Sequence, residues 1–238
     1  MTTSTHASLT AVLLDLDDTL LDNDMARFGP AYLESLGRLL APRGAVDALR
    51  GSIEAVIREP DLSQTNDERF WRELSERTGQ PTPYLHAVFA RFCEEGLPEL
   101  RSLTRPRREA PTVVRLARAR GLKVVLATNP MFPPTVTLQR IEWAGLRAGD
   151  FDHITLQDCA HACKPHPAYF REALSAVGAE PESALMVGDD WRLDIAPAMR
   201  LGLRAYWIRR RDASRPGSDL VPDASGAWEE FVDWWKAW

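Results

Sequence analysis

The segment AVLLDLDDTL, residues Ala11–Leu20, decides the fold. Its first four residues are apolar, which predicts a short strand buried on both faces, as in parallel sheets. Three carboxylates follow within four positions. Asp15 and Asp17 can point the same way at the carboxyl edge of the sheet, where ligands bind. Because such close carboxylates repel each other unless one is protonated or a cation lies between them, the segment predicts a site for a hard ion such as Mg2+.

The composition limits the classes of protein. The chain has 238 residues, 45% of them hydrophobic and 26% charged, and a net charge of -5. This charge offers no general attraction to nucleic acid or an anionic membrane, and no apolar run approaches the roughly 20 residues of a membrane helix. The first ten residues lack a secretion signal, and three cysteines cannot form a full disulfide framework. We therefore expect a cytoplasmic protein without nucleic-acid or membrane partners. The sequence leaves its oligomeric state undetermined.

A helical block follows the first strand. Apolar residues at helical spacing, with Pro or Gly at the breaks, predict four helices and no strand from about residue 24 to about residue 100. A fifth, basic amphipathic helix is predicted at Arg105–Arg120, and we interpret its arginines as a solvated face rather than a nucleic-acid surface. The four predicted helices of the block are Met25–Leu40, Val46–Ile57, Glu68–Thr78 and Tyr84–Glu95.

The second half of the chain alternates between strands and helices. This alternation predicts βαβ units, a parallel sheet and right-handed crossovers. The first strand must then pair with strands more than a hundred residues later. We predict a Rossmann-like α/β core with helices on both faces, residues 1–22 and 104–238, and an inserted helical domain, residues 23–103. The predicted strands are Leu122–Ala127, Phe151–Thr155, Ala184–Gly188 and Arg204–Ile208, and the predicted helices are Val136–Trp143, Pro167–Val177 and Asp194–Leu201.

Three further loops carry polar residues beside predicted strands or helices: Thr128-Asn129, Lys164-Pro165 and Gly188–Asp194. Strand-end loops of a parallel sheet emerge on one edge, so these groups can converge on Asp15 and Asp17. A carboxylate cluster, one lysine and a hydroxyl can hold a phosphoryl group beside Mg2+.

In chain order, the segment Asp15–Thr19 and these three loops resemble the four motifs of the haloacid dehalogenase-like (HAD) hydrolase superfamily. The insertion, residues 23–103, resembles the helical cap of the first cap class of that superfamily. The resemblance implies a cap that closes over the site, with hinges near Leu21–Asp24 and Leu97–Arg105.

The resemblance also implies roles for individual residues. Asp15 is the nucleophile that attacks phosphorus and becomes an aspartyl phosphate. Asp17 protonates the leaving oxygen and later deprotonates the attacking water. Thr128 and Lys164 bind the phosphoryl oxygens, and Asn129 orients the loop.

The same resemblance implies a magnesium site. The Asp15 carboxylate, the Asp17 backbone carbonyl and the Asp189 carboxylate hold Mg2+, and waters complete the octahedron. Asp190 or Asp194 does not bind the ion itself but holds the ligating groups in place.

The reaction class follows from Asp17. Dehalogenases of the superfamily lack an acid at this position because a halide leaves without a proton, so Asp17 favours phosphate chemistry. We expect hydrolysis of a small phosphomonoester, such as a sugar phosphate, phosphoglycolate or a nucleoside monophosphate. A phosphoglucomutase-like transfer and a non-catalytic binding protein on the same fold are the alternatives. Phe70, Trp71 and Phe89 either stack on a base or, as we favour, form the core of the helical domain.

Two remaining features have no role in this chemistry. Cys159, His161, Cys163 and His166 crowd one loop, but their spacing and the neighbouring lysine argue against a zinc site. Cys163 beside that lysine suggests sensitivity to thiol oxidation, and His166 replaces the acidic residue often found there in the family. The tail, Ala227–Trp238, is a Trp-rich amphipathic helix that we predict to pack on the protein's own core.

Overall fold

The computed structural model describes residues 9–40, 44–58, 60–209 and 219–238. Six strands form one parallel sheet, in the order β5-β4-β1-β6-β7-β8, and the two others form a short antiparallel ribbon, β2-β3. The first strand lies in the centre of the sheet and, as predicted, pairs with strands more than a hundred residues later, β4 and β6. The strands are β1 (Ala11–Leu14), β2 (Leu21–Asp22), β3 (Arg105–Pro106), β4 (Lys123–Leu126), β5 (His153–Ile154), β6 (Ala184–Gly188), β7 (Arg204–Ile208) and β8 (Ala224–Gly226).

Helices cover both faces of the sheet. Alternate residues of the central strands point to opposite faces, so β1 contributes Val12 and Leu14 to one apolar cluster and Ala11 and Leu13 to the other. The cluster of Val12 and Leu14 includes residues of α5, α6 and α9, and the opposite cluster includes residues of α7 and α8. The predicted Rossmann-like fold is confirmed. The helices are α1 (Met25–Leu40), α2 (Ala45–Arg58), α3 (Asn66–Thr78), α4 (Thr82–Glu95), α5 (Ala110–Ala119), α6 (Pro134–Trp143), α7 (Pro167–Ser175), α8 (Ala196–Arg200) and α9 (Trp228–Ala237).

The largest difference between a predicted and an observed helix boundary is at the start of the basic helix. The basic helix begins at Ala110 and not at Arg105, because Arg105–Pro106 forms β3 and pairs with β2. A residue that precedes proline is biased towards extended backbone, so the sequence itself carried this signal. The β2-β3 ribbon joins the two segments that lead into and out of the helical insertion, α1–α4.

The helical insertion has its own apolar packing and also shares a core with the sheet. Phe70, Trp71 and Phe89 are buried. The ring centroid of Trp71 lies 5.0 Å from that of Phe70 and 5.6 Å from that of Phe89. On the opposite side, Tyr32 of α1 packs against Phe132, which precedes α6, at a centroid distance of 4.7 Å. One apolar cluster therefore runs from the insertion to the face of the sheet.

The Trp-rich tail forms α9 and packs on the α/β core, as predicted. Phe231 and Trp235 are fully buried, and the indole Nε1 of Trp235 donates to the backbone oxygen of Val113 in α5 at 3.0 Å. The guanidinium of Arg120 lies 5.0 Å from the ring centroid of Trp235. Among the described residues, no helix is both long and apolar enough to cross a membrane.

Candidate active site

Asp15 lies directly after β1, at the carboxyl edge of the sheet. Its backbone N–H donates to the oxygen of Val187 in β6 at 3.0 Å, so the strand ladder continues through the residue and fixes its position. The side chain is buried. The following turn contains Asp18 at a φ of 53°, a left-handed conformation that Asp tolerates better than most residues.

Lys164 is buried between two carboxylates. Its Nζ donates to Oδ1 of Asp15 at 2.7 Å and to Oδ1 of Asp194 at 2.6 Å, and the side chain is 2% exposed. Burial lowers the pKa of Lys164, but the two carboxylates outweigh this effect and hold that pKa well above its usual value. The lysine is thus a fixed cation at the base of the site.

The carboxylates of Asp15, Asp189 and Asp194 gather within 4.8 Å of one another. The pKa of Asp15 is raised to about 7, mainly by burial and against the opposing effect of Lys164, and burial together with the neighbouring carboxylates raises the pKa of Asp189 to about 9. Burial likewise raises the pKa of Asp194. One lysine does not balance three carboxylates, so the cluster has the charge and the oxygen donors that suit a hard divalent cation.

The turn after β6 holds Asp194 against the lysine. Asp190 accepts hydrogen bonds from the backbone N–H groups of Arg192 and Leu193 at 2.7 and 3.0 Å and so caps the π-helical turn Trp191–Ile195. Its own N–H donates to Oδ2 of Asp194 at 3.1 Å. A side chain at Gly188 would overlap the Asp194 carboxylate, which explains the glycine at the end of β6.

Thr128 and Asn129 follow β4 and organise the loop that carries Lys164. The Asn129 side-chain oxygen accepts the backbone N–H of Lys164 at 3.1 Å. The backbone oxygen of Thr128 accepts the hydroxyls of Thr155 and Tyr169 at 2.7 and 2.9 Å. The Thr128 hydroxyl itself has no hydrogen-bond partner among the residues described, but Thr128 is 2% exposed and, unlike Asn129, is not among the residues that line the cavity above the site.

Asp17 has two side-chain partners that the sequence did not reveal. Oδ1 of Asp17 accepts from Nδ2 of Asn23 at 2.6 Å and forms an ion pair with Nη2 of Arg140 in α6. Arg140 lies on the buried face of its helix, beside Val136 and Ile141. An arginine on an apolar stripe is the signal that could have identified it.

A cavity of about 440 Å3 opens above these groups. Residues of the helical insertion and of the α/β core both line it, and the aromatic residues Phe70, Trp71 and Phe89 do not. The interpretation of these three as helical core is therefore confirmed. The lining residues are Asp15, Asp17, Asp18, Asp24, Met25, Ala26, Ile57, Asn129, Met131, Lys164, Pro165, Asp189, Asp190, Leu193 and Asp194.

The Cys/His loop has structural roles. Cys163 is buried, and burial raises the pKa of its thiol to about 12, so the predicted sensitivity to oxidation is wrong for this residue. The ring Nδ1 of His166 accepts the backbone N–H of Ala168 at 3.1 Å and caps α7. His166 therefore serves as the N-cap of α7.

The sequence and the fold of the chain match known proteins. A sequence profile of the haloacid dehalogenase-like hydrolase family matches residues 9–202. The chain belongs to this family and is a hydrolase. Phosphoserine phosphatase of Thermus thermophilus is 33% identical over 225 residues, which cover 84% of this chain and 88% of the relative.

Two solved structures share the fold of the protein. A 2-haloacid dehalogenase from Pseudomonas syringae superposes with a TM-score of 0.64 at 23% identity, over 96% of this chain and 98% of that one. A HAD phosphatase from Thermococcus onnurineus superposes with a TM-score of 0.59 at 22% identity, over 94% of this chain and 97% of that one. At these identities the likeness extends to the fold alone.

Proposed function

We propose that the protein is a Mg2+-dependent phosphatase that hydrolyses a small phosphomonoester through an aspartyl phosphate on Asp15. The observation that carries this proposal is the hydrogen bond from Lys164 Nζ to the Asp15 carboxylate, at the base of a cavity that Asp17 also lines. The relative named phosphoserine phosphatase, which matches most of the chain, supports phosphate chemistry. Asp17 supplies the acid that an alcohol leaving group needs and a halide does not.

The donor set fits a magnesium ion. Asp15 and Asp189 are carboxylates close enough to share one cation, and since burial and neighbouring carboxylates raise their pKa values, an added positive charge would stabilise their ionised forms. We propose that these two side chains and the backbone carbonyl of Asp17 hold Mg2+, while Asp194 stays with Lys164 and Asp190 supports the turn. The ion, when bound, offsets the negative charge of the phosphoryl group.

The reaction then has two displacements at phosphorus. A carboxylate oxygen of Asp15 forms a bond to phosphorus as the bond to the leaving oxygen breaks, and Asp17 gives that oxygen its proton. Water next attacks the same phosphorus, Asp17 takes a proton from it, and the bond to Asp15 breaks to release phosphate. Lys164 and the Thr128 hydroxyl bind the phosphoryl oxygens, and Asn129 keeps the lysine in place through its backbone.

The helical insertion supplies the upper wall of the cavity. Asp24, Met25 and Ile57 come from it or from the segment leading into it, opposite Met131 and Leu193 of the core. We propose that residues 23–103 act as a cap over a catalytic core formed by residues 1–22 and 104–238. The β2-β3 ribbon joins the two connecting segments, so a closing motion would bend both together.

The residues that line the cavity limit the range of substrates that would fit. Among the described lining residues, Lys164 is the one cation, and it is already held by two carboxylates. A second anionic group, as in phosphoglycolate, would therefore meet mainly acidic or apolar side chains. The buried aromatic residues offer no ring to a nucleobase. These features favour the phosphate ester of a small neutral alcohol, such as a sugar, among the substrates considered.

Phosphate release from a panel of phosphomonoesters, with and without Mg2+, tests the proposal. The panel contains sugar phosphates, phosphoglycolate, phosphoserine and nucleoside monophosphates, and haloacids are assayed for halide release beside it. We expect Mg2+-dependent phosphate release from the wild type and none from Asp15→Asn, whose fold is checked by circular dichroism. Halide release without phosphate release, or equal activity in the variant, would refute the proposal. Isomerised sugar phosphate without free phosphate would indicate a mutase.

A further inference from the structure

Arg140 is a buried cation with one charged partner among the residues that the structure describes. Its side chain is 1% exposed, and its guanidinium carbon lies 5.1 Å from the ring centroid of Phe28 in α1 and 5.5 Å from that of Phe132. Nε of Arg140 has no hydrogen-bond partner in the part of the chain that the structure describes. The ion pair with Asp17 is therefore what balances the charge of the guanidinium.

The ion pair occupies only one oxygen of Asp17. Both side-chain partners, Asn23 and Arg140, bind Oδ1. Oδ2 of Asp17 accepts no hydrogen bond from the described residues, and Asp17 lines the cavity. The geometry thus fixes one oxygen and leaves the other for a proton exchange with a ligand.

The same arginine links Asp17 to the helical insertion. Phe28 and Met25 both belong to the first turns of α1, and the Met25 sulfur lies 4.0 Å from Nη2 of Arg140. On the side of the α/β core, the ring of Phe132 packs against the guanidinium. Since Arg140 is held between a ring of the insertion and a ring of the core, a displacement of α1 would loosen its hold on Asp17.

We propose that Arg140 is a positioning residue that holds Oδ1 of Asp17, so that Oδ2 can protonate the leaving group, and that α1 must be seated on Arg140 for this to happen. This inference rests on the proposed phosphatase function. It assigns a role to a residue that contacts neither the phosphate-binding lysine nor the carboxylate cluster, and it makes the acid depend on the insertion.

The test compares two leaving groups. The p-nitrophenolate of p-nitrophenyl phosphate leaves without a proton, whereas the alkoxide of glycerol 2-phosphate needs one. Because kcat/KM covers the steps up to loss of the leaving group, it separates this protonation from the later attack of water. We expect Arg140→Met to lower kcat/KM for glycerol 2-phosphate by about 100-fold, within the range of general acid catalysis, and that for p-nitrophenyl phosphate far less.

Further variants separate positioning from folding. Arg69→Met removes another buried arginine, in α3, and should keep the wild-type ratio of the two kcat/KM values. Phe28→Leu, which removes the ring from α1, should shift the ratio as Arg140→Met does, but less. Arg140→Lys retains a buried charge. The ratio of the two kcat/KM values is measured on this variant if Arg140→Met does not fold. Thermal unfolding of each variant is recorded alongside.

The outcomes are distinct. Equal losses on both esters, or an unchanged ratio in Arg140→Met and Arg140→Lys, would refute the positioning role while leaving the phosphatase function intact. An unchanged ratio in Phe28→Leu would refute the link to α1. A wild type that hydrolyses neither ester would refute the phosphatase proposal, and the role of Arg140 with it.

Discussion

At the scale of single residues, the site holds three buried carboxyl groups close enough to repel one another when they are ionised. Asp15, Asp189 and Asp194 lie close together, one lysine pairs with only the first and last of them, and burial raises the pKa of each carboxyl. Burying carboxylates in this way costs stability unless a cation offsets their charge. The arrangement favours ligand binding over stability, which is common where a binding site is built before its ligand arrives.

The stability of the metal-free protein should fall as the pH rises. The pKa values of Asp15 and Asp189 are about 7 and about 9 in the folded protein against 3.8 for the unfolded groups. Between pH 4 and 9 the folded state therefore binds more protons than the unfolded state, and the free energy of unfolding decreases with pH. Thermal unfolding in EDTA from pH 5 to 9 should show a falling midpoint.

Added Mg2+ should reverse this trend. The ion binds deprotonated carboxylates, so its stabilising effect should increase with pH. Asp189→Asn should lose most of the Mg2+ effect and part of the pH dependence, whereas Asp233→Asn, at an exposed site in α9, should behave like the wild type. A midpoint that rises with pH in EDTA would contradict the raised pKa values.

At the scale of elements, the start of α3 ties the helical insertion to the loops of the core. Nδ2 of the fully buried Asn66 donates to the backbone oxygens of Pro130 and Ala162, at 3.3 Å each. Its backbone N–H donates to the oxygen of Ala160 at 2.8 Å. These bonds join the insertion to the loop after β4 and to the loop that leads to Lys164.

Asn66→Ala should weaken this junction. The change leaves the backbone oxygen of Ala162 without a side-chain donor and that of Pro130 with only the weak Cys163 thiol at 3.9 Å, which costs about 1 to 3 kcal/mol of unfolding free energy in urea denaturation. Hydrogen exchange should accelerate at the N–H of Asp67, which donates to Gln157 across the junction.

Thr65→Ala is the matched control for this junction. It removes the N-cap of the same helix, at about 1 kcal/mol, without touching the core loops. Faster exchange at Asp67 in both variants alike would show that the junction depends on the helix cap rather than on Asn66.

At the scale of the whole molecule, the Trp-rich tail completes the core. The apolar face of α9 covers α5 and the edge of the sheet near β7 and β8. Two arginines that the sequence placed in a solvated helix face, Arg107 and Arg120, lie over Trp228 and Trp235 instead. The tail thus has a structural role independent of any partner.

Two tryptophans of the tail offer a matched comparison. Trp235 is fully buried, whereas Trp238 is 42% exposed and stacks on it at a centroid distance of 5.6 Å. Trp235→Ala should cost about 3 to 5 kcal/mol of unfolding free energy in urea denaturation, because it opens a cavity and removes the bond to Val113. Trp238→Ala should cost about 1 kcal/mol or less. Similar losses would contradict the packing described.

The sequence by itself determined the central strand, the helices on both sides of the sheet and the groups that meet at its carboxyl edge. Each of these follows from a local pattern. An apolar run bounded by acids predicts β1 and Asp15, and the alternation of strands and helices brings Lys164 and Asp189 to the same edge. The pattern of apolar residues also predicted the face on which α9 packs.

Only the tertiary structure decided which groups hold these residues. Arg140 is 123 positions from Asp17, and Asn66 is 96 positions from Ala162, so no local pattern relates them. A buried arginine or asparagine is stable only where a partner from another element satisfies it, and that partner is known only once the elements have packed. The ribbon of β2 and β3 likewise pairs two segments that lie on either side of the insertion in the sequence, so no local pattern relates them.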